Sequence, residues 1–177
     1  MSDVLTLAMD RASESPGVAV YSGTGLVFAK QWEGSPSRDP AWMDELAQEL
    51  RAHGVTPESI GRFVCGLGPG SFSGIRAALS ALQGMALPGR ATVEGAASSA
   101  ALALGVARGG EELVTVLDDA RRERLWLVTY RVTPSLGRVR LADGSPAAHA
   151  SADFKLMAAG ELAKSVPQES LVVTPDY

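Results

Sequence analysis

The stretch CGLGPGSFSGIRAALSALQGMAL, running from Cys65 to Leu87, decides how this chain reads. Phe63, Val64 and Cys65 form a short apolar run that leads into Gly66, Gly68 and Gly70, with Pro69 between them, and a helix-compatible run follows from about Ser71 or Ser73. The pattern predicts strand, tight turn, helix. Glycine supplies positive φ and close backbone approach in such a turn, and proline fixes one φ while donating no N–H. Ser71 or Ser73 is placed to cap the first helical turn. The free amides there either hold an anion or simply turn the chain. A phosphate-binding P-loop needs Lys after its second glycine, and Ile75 follows Gly74.

At 100° per residue the helix has two different non-polar sides. Ile75, Leu79, Leu82 and Ala86, flanked by Ala78 and Met85, suit a core. Opposite them stand Ala77, Ser80, Ala81 and Gly84, where a solvated helix would carry Lys, Glu or Gln. Small residues let another backbone approach, either from the same domain or from a partner protein.

GLGPGSFSGIRAALSALQGMAL resembles the signature GxGPGSFTGxRxGxxxAxGLA of the bacterial TsaB (YeaZ) family, with Ser73 where the family usually has Thr. That family supplies the non-catalytic partner in synthesis of threonylcarbamoyladenosine in tRNA. The resemblance implies an α/β, actin-like ATPase (ribonuclease H-like) fold of two subdomains. It also implies docking to a TsaD-type catalytic subunit, support of a TsaE-type ATPase, tRNA engaged through the complex, and a homodimer when the catalytic subunit is absent. Ser71, Phe72, Arg76, Ala77, Ser80, Ala81 and Gly84 are the expected partner-binding residues, with the Trp42 to Leu50 helix as the expected neighbour. ATP is implied for the complex, and no cofactor is expected on this subunit alone.

Working outward to the N-terminus, Val4 to Met9 reads as a buried strand ending at Asp10. Gly17 to Tyr21 and Leu26 to Trp32, joined by Ser22-Gly23-Thr24-Gly25, predict an antiparallel hairpin. Strand, turn, hairpin is also how actin-like ATPase domains begin, but their phosphate loop carries a glycine and here Asp10-Arg11-Ala12-Ser13 has none. The segment LAMDRAS resembles the family's LAIDTS, with Arg11 in place of Thr. Asp10 and Ser13 are weak nucleotide candidates, and Asp10 reads first as a structural group that caps the strand end or bonds the Ser13 region. Asp39-Pro40 starts a helix carrying Trp42, Met43, Leu46, Ala47 and Leu50, which Gly54 closes. Where many family members have His-Ser before this helix, Ser37-Arg38-Asp39 stands here. Thr56-Pro57-Glu58 starts a further short turn.

Toward the C-terminus, Ala91 to Val93 reads as a strand and Gly95 to Arg108 as an alanine-rich helix. A first subdomain is expected over residues 1–90, and the crossing helix with a second subdomain over 91–177. Leu113 to Leu117 predicts a strand ending in Asp118 and Asp119, and DARRERLW, from Asp119 to Trp126, resembles the family's DARRGEVYWA hairpin. Alternation from Leu125 to Tyr130 predicts the second strand of that hairpin. Gly137 turns toward Val139 and Leu141, Ser151 to Ala163 is read as a helix through Phe154, Leu156, Met157 and Leu162, and Leu171 to Val173 as a last strand. Typical family members continue for several tens of residues, so the second subdomain is expected to be shortened.

Twenty acidic against sixteen basic residues give a net charge of −4, a poor basis for direct binding of tRNA. Arg121, Arg122, Arg124, Arg131, Arg138 and Arg140, interleaved with Trp126 and Tyr130, are the best nucleic-acid footprint, and a solvated hairpin explains them as well. The lone Cys65 lies in an apolar run and reads as a small hydrophobe. His53 and His149 have no partners at metal-ligand spacing, unlike the paired-histidine metal motif of the catalytic paralogue. With no leader-like N-terminus and no run of eighteen apolar residues, a cytoplasmic protein without a membrane partner is expected. Two functions remain: a docking subunit without catalysis of its own, and a small nucleotide-dependent ATPase or phosphotransferase of the actin-like superfamily.

Overall fold

The computed structural model describes residues 4–23, 25–32, 41–147 and 154–175. They fall into two units, Met1–Gly95 and Ala96–Tyr177. The first contains strands β1 (Leu5–Asp10), β2 (Gly17–Ser22), β3 (Gly25–Gln31), β4 (Ile60–Gly66) and β5 (Thr92–Ala96), in a five-stranded sheet of order β3-β2-β1-β4-β5. β1 runs antiparallel to β2 and parallel to β4, with Leu7 opposite Val20 and Phe63 and Met9 opposite Val18 and Cys65. Because side chains alternate along a strand, these residues share one face. All of them are buried there, with Leu46 and Leu50 of α1 (Trp42–Ala52) and Ala78, Leu82 and Ala86 of α2 (Phe72–Gly89) in the same core. Fully burying Leu82 contributes about 2 kcal/mol.

α1 carries Asp44 and Glu45 in its first turn and Arg51 in its last, which suits the helix dipole. Gly54, at φ +66°, closes it, and the Val55 N–H returns to the Leu50 carbonyl. The expected Asp39-Pro40 start and Ser37-Arg38 lie outside the described residues. Thr56-Pro57 opens a single 3₁₀ turn, Pro57–Ser59, against which α2 packs as well as against β4 and β1.

The second unit contains α3 (Ser98–Val106), β6 (Glu112–Arg121), β7 (Arg124–Thr133), β8 (Arg138–Leu141), β9 (Lys155–Ala158), α4 (Leu162–Ser165) and β10 (Leu171–Val173). Its sheet runs β10-β6-β7-β8, with β9 also paired to β7. Val114, Val116, Trp126, Val128, Tyr130 and Val132 form its core with Ala103 of α3, and the buried Ser99 and Tyr130 hydroxyls lie 2.8 Å apart. A central strand flanked by an antiparallel hairpin and a parallel strand recurs in both units, which is the repeated α/β arrangement that two subdomains of one kind would give.

Three sequence expectations shift. The boundary expected after Arg90 falls after Gly95, because β5 belongs to the first sheet and extends to Ala96. For the same reason the helix read from Gly95 begins at Ser98. The helix read over Ser151 to Ala163 is not formed in its described part: Lys155–Ala158 is a strand on β7, and helix occurs only in the 3₁₀ turn Ala159–Glu161 and the short α4. Pairing with Arg124–Leu127, and the edge contact of Phe154 with Trp126 at 6.5 Å, overrides the helical spacing. No helix among the described residues is long and apolar enough to cross a membrane.

Candidate functional site

The turn after β1 and the turn after β4 meet backbone to backbone. Gly68-Pro69 is a cis peptide, and Gly68 sits at φ +83°, closed to any larger residue. A Cβ on Gly70 would overlap the Ala12 carbonyl, so only glycine allows the approach. The Ser71 N–H then donates to the Ala12 carbonyl at 2.6 Å. The Ser71 hydroxyl accepts from the Gly74 N–H at 3.2 Å, which makes Ser71 the N-cap of α2. Two amides that an anion would need are therefore engaged within the protein, which favours the turn-forming reading of this motif.

On the facing turn, the Asp10 carboxylate accepts the Ala12 N–H at 2.7 Å. Ser13 accepts locally from the Ser15 N–H at 3.2 Å. The sequence reading missed Arg11, which is buried with its guanidinium 4.2 Å from the Trp42 ring and 6.0 Å from that of Trp32. Trp32 meets Trp42 edge to face and donates from its indole to Glu45 at 3.0 Å. A delocalised cation against tryptophan faces ties the β1 turn to α1. The signal was an arginine at the end of an apolar strand in a chain that also holds two nearby tryptophans. Burial and the nearby Asp10 charge push the Cys65 thiol up to about 11, so it sits as an uncharged small hydrophobe.

α2 buries Gly74, Ala78, Leu82 and Ala86 and turns the opposite arc outward. Phe72 is 72% exposed and Leu87 78% exposed, at the two ends of this arc, about 22 Å apart along the axis. Ser73, Arg76, Ser80, Gln83 and Gly84 lie exposed between them. The Arg76 guanidinium rests 5.4 Å from the Phe72 ring. A Cβ on Gly84 would meet nothing within 4 Å. Pro88 has no N–H to return to the Gly84 carbonyl, so the last turn of the arc is polar as well as small. Of the expected partner-binding residues, Phe72, Arg76, Ser80 and Gly84 are on the arc, Ala77 and Ala81 flank it half-buried, and Ser71 is taken up by the cap. Leu87, Ser73 and Gln83 were missed. The helical wheel from Phe72 would have found them.

A family model described as TsaD, tRNA N6-adenosine threonylcarbamoyltransferase, matches residues 40–141, more than half of the 177-residue chain. The chain belongs to this family. Its fold is also that of YeaZ from Pseudomonas aeruginosa, with 23% identity and a TM-score of 0.73 over 95% of this chain and 75% of that one. A protein from the same organism, described as uncharacterised with similarity to peptidase YeaZ, aligns with 19% identity and a TM-score of 0.75 over 98% and 84%. No curated protein matches the chain.

The segment matched to the TsaD family contains α2 and every residue expected to bind a partner, and leaves Asp10 and Ser13 outside. It also contains the arginine-bearing hairpin. There Asp118 Oδ1 accepts the Asp119 N–H at 2.7 Å and Asp119 Oδ1 accepts the Arg121 N–H at 2.6 Å, so these acids shape the turn as strand-end caps. Arg131 pairs with Glu111 at 2.9 Å and Arg140 donates to the Gly144 carbonyl at 3.1 Å, while Arg121, Arg122 and Arg124 are exposed. No group of three or more His, Cys, Asp or Glu among the described residues could hold a metal ion. His149 lies outside them.

Proposed function

We propose that this chain is a partner subunit without catalysis of its own, which docks a TsaD-type catalytic subunit through α2 and so supports threonylcarbamoyl transfer to adenosine 37 of tRNA. The exposed arc of α2 carries the reading: a helix that buries one side normally covers its other side with charge, and this one offers Phe72, Leu87 and small residues with Arg76 as its one charged side chain. Family membership gives the pathway, and the engaged Asp10 carboxylate and Ser71 amide support a role without nucleotide chemistry on this subunit. ATP then enters through a TsaE-type ATPase in the complex, and tRNA is held by the assembly in the cytoplasm. Without the catalytic subunit the same arc serves a homodimer, because one self-complementary patch fits a twofold contact. Specific interfaces usually bury about 1,200 to 2,000 Å² in total, so α1 is the neighbour expected to join the contact.

Replacing Gly84 by Leu tests this. Open space at its Cβ means that the isolated chain keeps its melting temperature. Overpacking at the contact costs on the order of 1 to 3 kcal/mol, a loss of about tenfold or more in affinity. Titration calorimetry against the TsaD-type subunit, beside thermal melting of the variant, reads both. Unchanged affinity, or a collapsed melt, sets the docking role of this arc aside. Robust ATP turnover by the isolated chain that Asp10→Asn abolishes would favour the ATPase reading instead.

A further inference from the structure

Beside β7 the second sheet is interrupted. β8 pairs with Tyr130–Thr133 and β9 with Arg124–Leu127, so Val128 and Thr129 lie between the ends of two partner strands. Among the described residues the turn after β8 reaches in, where the Ala142 N–H donates to the Thr129 carbonyl at 3.0 Å. A cavity of about 280 Å³ opens at this interruption, with Leu127, Thr129, Leu141, Asp143, Lys155 and Ser165 among its lining. It is smaller than the roughly 300 to 1,000 Å³ of sites for drug-sized ligands, so it selects small molecules.

Its two charges are unlike and do not cancel each other. Asp143 Oδ1 accepts from the Ser145 N–H at 2.9 Å and from the Ser145 hydroxyl at 2.6 Å, which fixes the carboxylate and holds its pKa below the ordinary value. Lys155, at the first position of β9, forms no ion pair with any described residue, Asp143 included. The Thr129 hydroxyl lies 2.9 Å from that of the buried Thr115, which donates in turn to Ser170 at 2.9 Å, so the polar floor is itself tied down. A lone anion or a lone cation would satisfy one lining charge and leave the other. A molecule carrying both satisfies the two together.

We propose that this cavity binds a small zwitterion, an α-amino acid with its ammonium on Asp143 and its carboxylate on Lys155. Leu127 and Leu141 supply apolar walls for a short side chain, and the Thr129 and Ser165 hydroxyls, whose protons go to Thr115 and to the Glu161 carbonyl, keep lone pairs that accept from a polar one. Nothing in this assignment depends on the docking role of α2, which lies in the other unit.

The full chain is titrated with L-serine, with N-acetyl-L-serine, which keeps only the carboxylate, and with L-serine amide, which keeps only the ammonium. Calorimetry gives the affinities, and amide shifts at Leu127, Val128 and Thr129 locate the site. L-Serine should bind about tenfold or more tighter than either blocked probe, as loss of a charged hydrogen bond requires. Asp143→Asn should erase the preference over the N-acetyl probe, Lys155→Gln the preference over the amide, and Lys164→Gln, outside the lining, should keep both. Equal binding of the three probes, no saturation by L-serine, or preferences that survive both variants would overturn the assignment. The probe series needs no variant, so it decides even if a substitution unfolds the chain.

Discussion

β1 in the first unit and β6 in the second hold the same place: each is central, antiparallel to the next strand in sequence and parallel to a later one, β4 or β10. Each carries at or near its end an aspartate that accepts the N–H two residues on, Asp10, the last residue of β1, from Ala12 and Asp119, two before the end of β6, from Arg121. What surrounds these matched turns differs. After β1 the chain makes a long turn anchored by the buried Arg11, and this turn receives the cap of α2. After β6 it reverses at Arg122-Glu123 and continues as β7. Between β3 and β4 the first unit places α1, and between β8 and β10 the second places β9, a 3₁₀ turn and the four-residue α4. A repeated sheet is thus a scaffold, and the turns at its strand ends decide what each copy can do.

The sharpest way to break the comparison is at Gly70. Gly70→Ala forces a methyl group into the Ala12 carbonyl at φ +156°, where an L side chain is strained already. The cost should be on the order of 3 kcal/mol. Gly137→Ala in the second unit also faces a positive φ, the milder left-handed helical value of +56°, and nothing lies within 4 Å of the new carbon. Its cost should stay near about 1 kcal/mol. Urea unfolding gives both values, and amide hydrogen exchange shows where they act. Protection should fall in β1, β4 and α2 for the Gly70 variant and hold in β6 and β7. Equal losses across both sheets would mean that the units unfold as one, and the two turns could no longer be compared separately.

A second, smaller effect runs the other way. Arg121, Arg122 and Glu123 all have positive φ, at 65°, 55° and 62°. A two-residue hairpin turn of this kind favours Asn-Gly, because left-handed backbone costs a side-chain-bearing residue about 1 to 2 kcal/mol. The hairpin that this one resembles carries glycine where Glu123 stands. Glu123→Gly should therefore stabilise the second unit by about 1 kcal/mol after the entropy that glycine adds to the unfolded chain. Thermal melting checks it. A fall in stability would show that Glu123 contributes through its neighbouring arginines more than it costs in strain.

What could be read from the sequence follows from how local the causes are. The Ser71 cap and the Gly68-Pro69-Gly70 turn are decided within a few residues and stand where the pattern put them, while the core stripe of α2 is rotated: Leu82 and Ala86 are buried as expected, but Gly74 and Ala78 are buried with them and Ile75 and Leu79 are only partly covered. β9 was misread because Phe154, Leu156 and Met157 fit a helix as well as a strand, and the deciding partner is the edge of β7, some thirty residues away. Arg11 was misjudged for the same reason. Its environment is Trp32, just after β3, and Trp42 of α1, and the sequence alone showed only that Arg11 replaces the family's Thr in a loop without glycine. The exposure of Leu87 could have been read, since it follows from the helical angle alone.

The smallest expected effect belongs to a feature that α1 gives the first unit. Lys30 lies 2.9 Å from Glu45 and 3.2 Å from Glu49. The Glu45 and then the Glu49 hydrogen bond raises the Lys30 pKa above its ordinary 10.5, and the Lys30 hydrogen bond lowers that of Glu45 below its ordinary 4.5. The lysine's share of the stability is complete below pH 10.5 and is lost as pH rises through its folded value. The glutamate's share is complete above pH 4.5 and is lost as pH falls through its folded value. The gap in melting temperature between the native chain and Lys30→Met should therefore form a plateau from about pH 5 to about pH 10 and shrink on both sides. It should be small throughout, because surface pairs hold a modest Coulomb energy against the entropy of two long side chains. Added salt should narrow it further. A gap that stays flat across the whole range would assign the effect to packing of the lysine stem, and the charge pair would then add nothing that the second unit lacks.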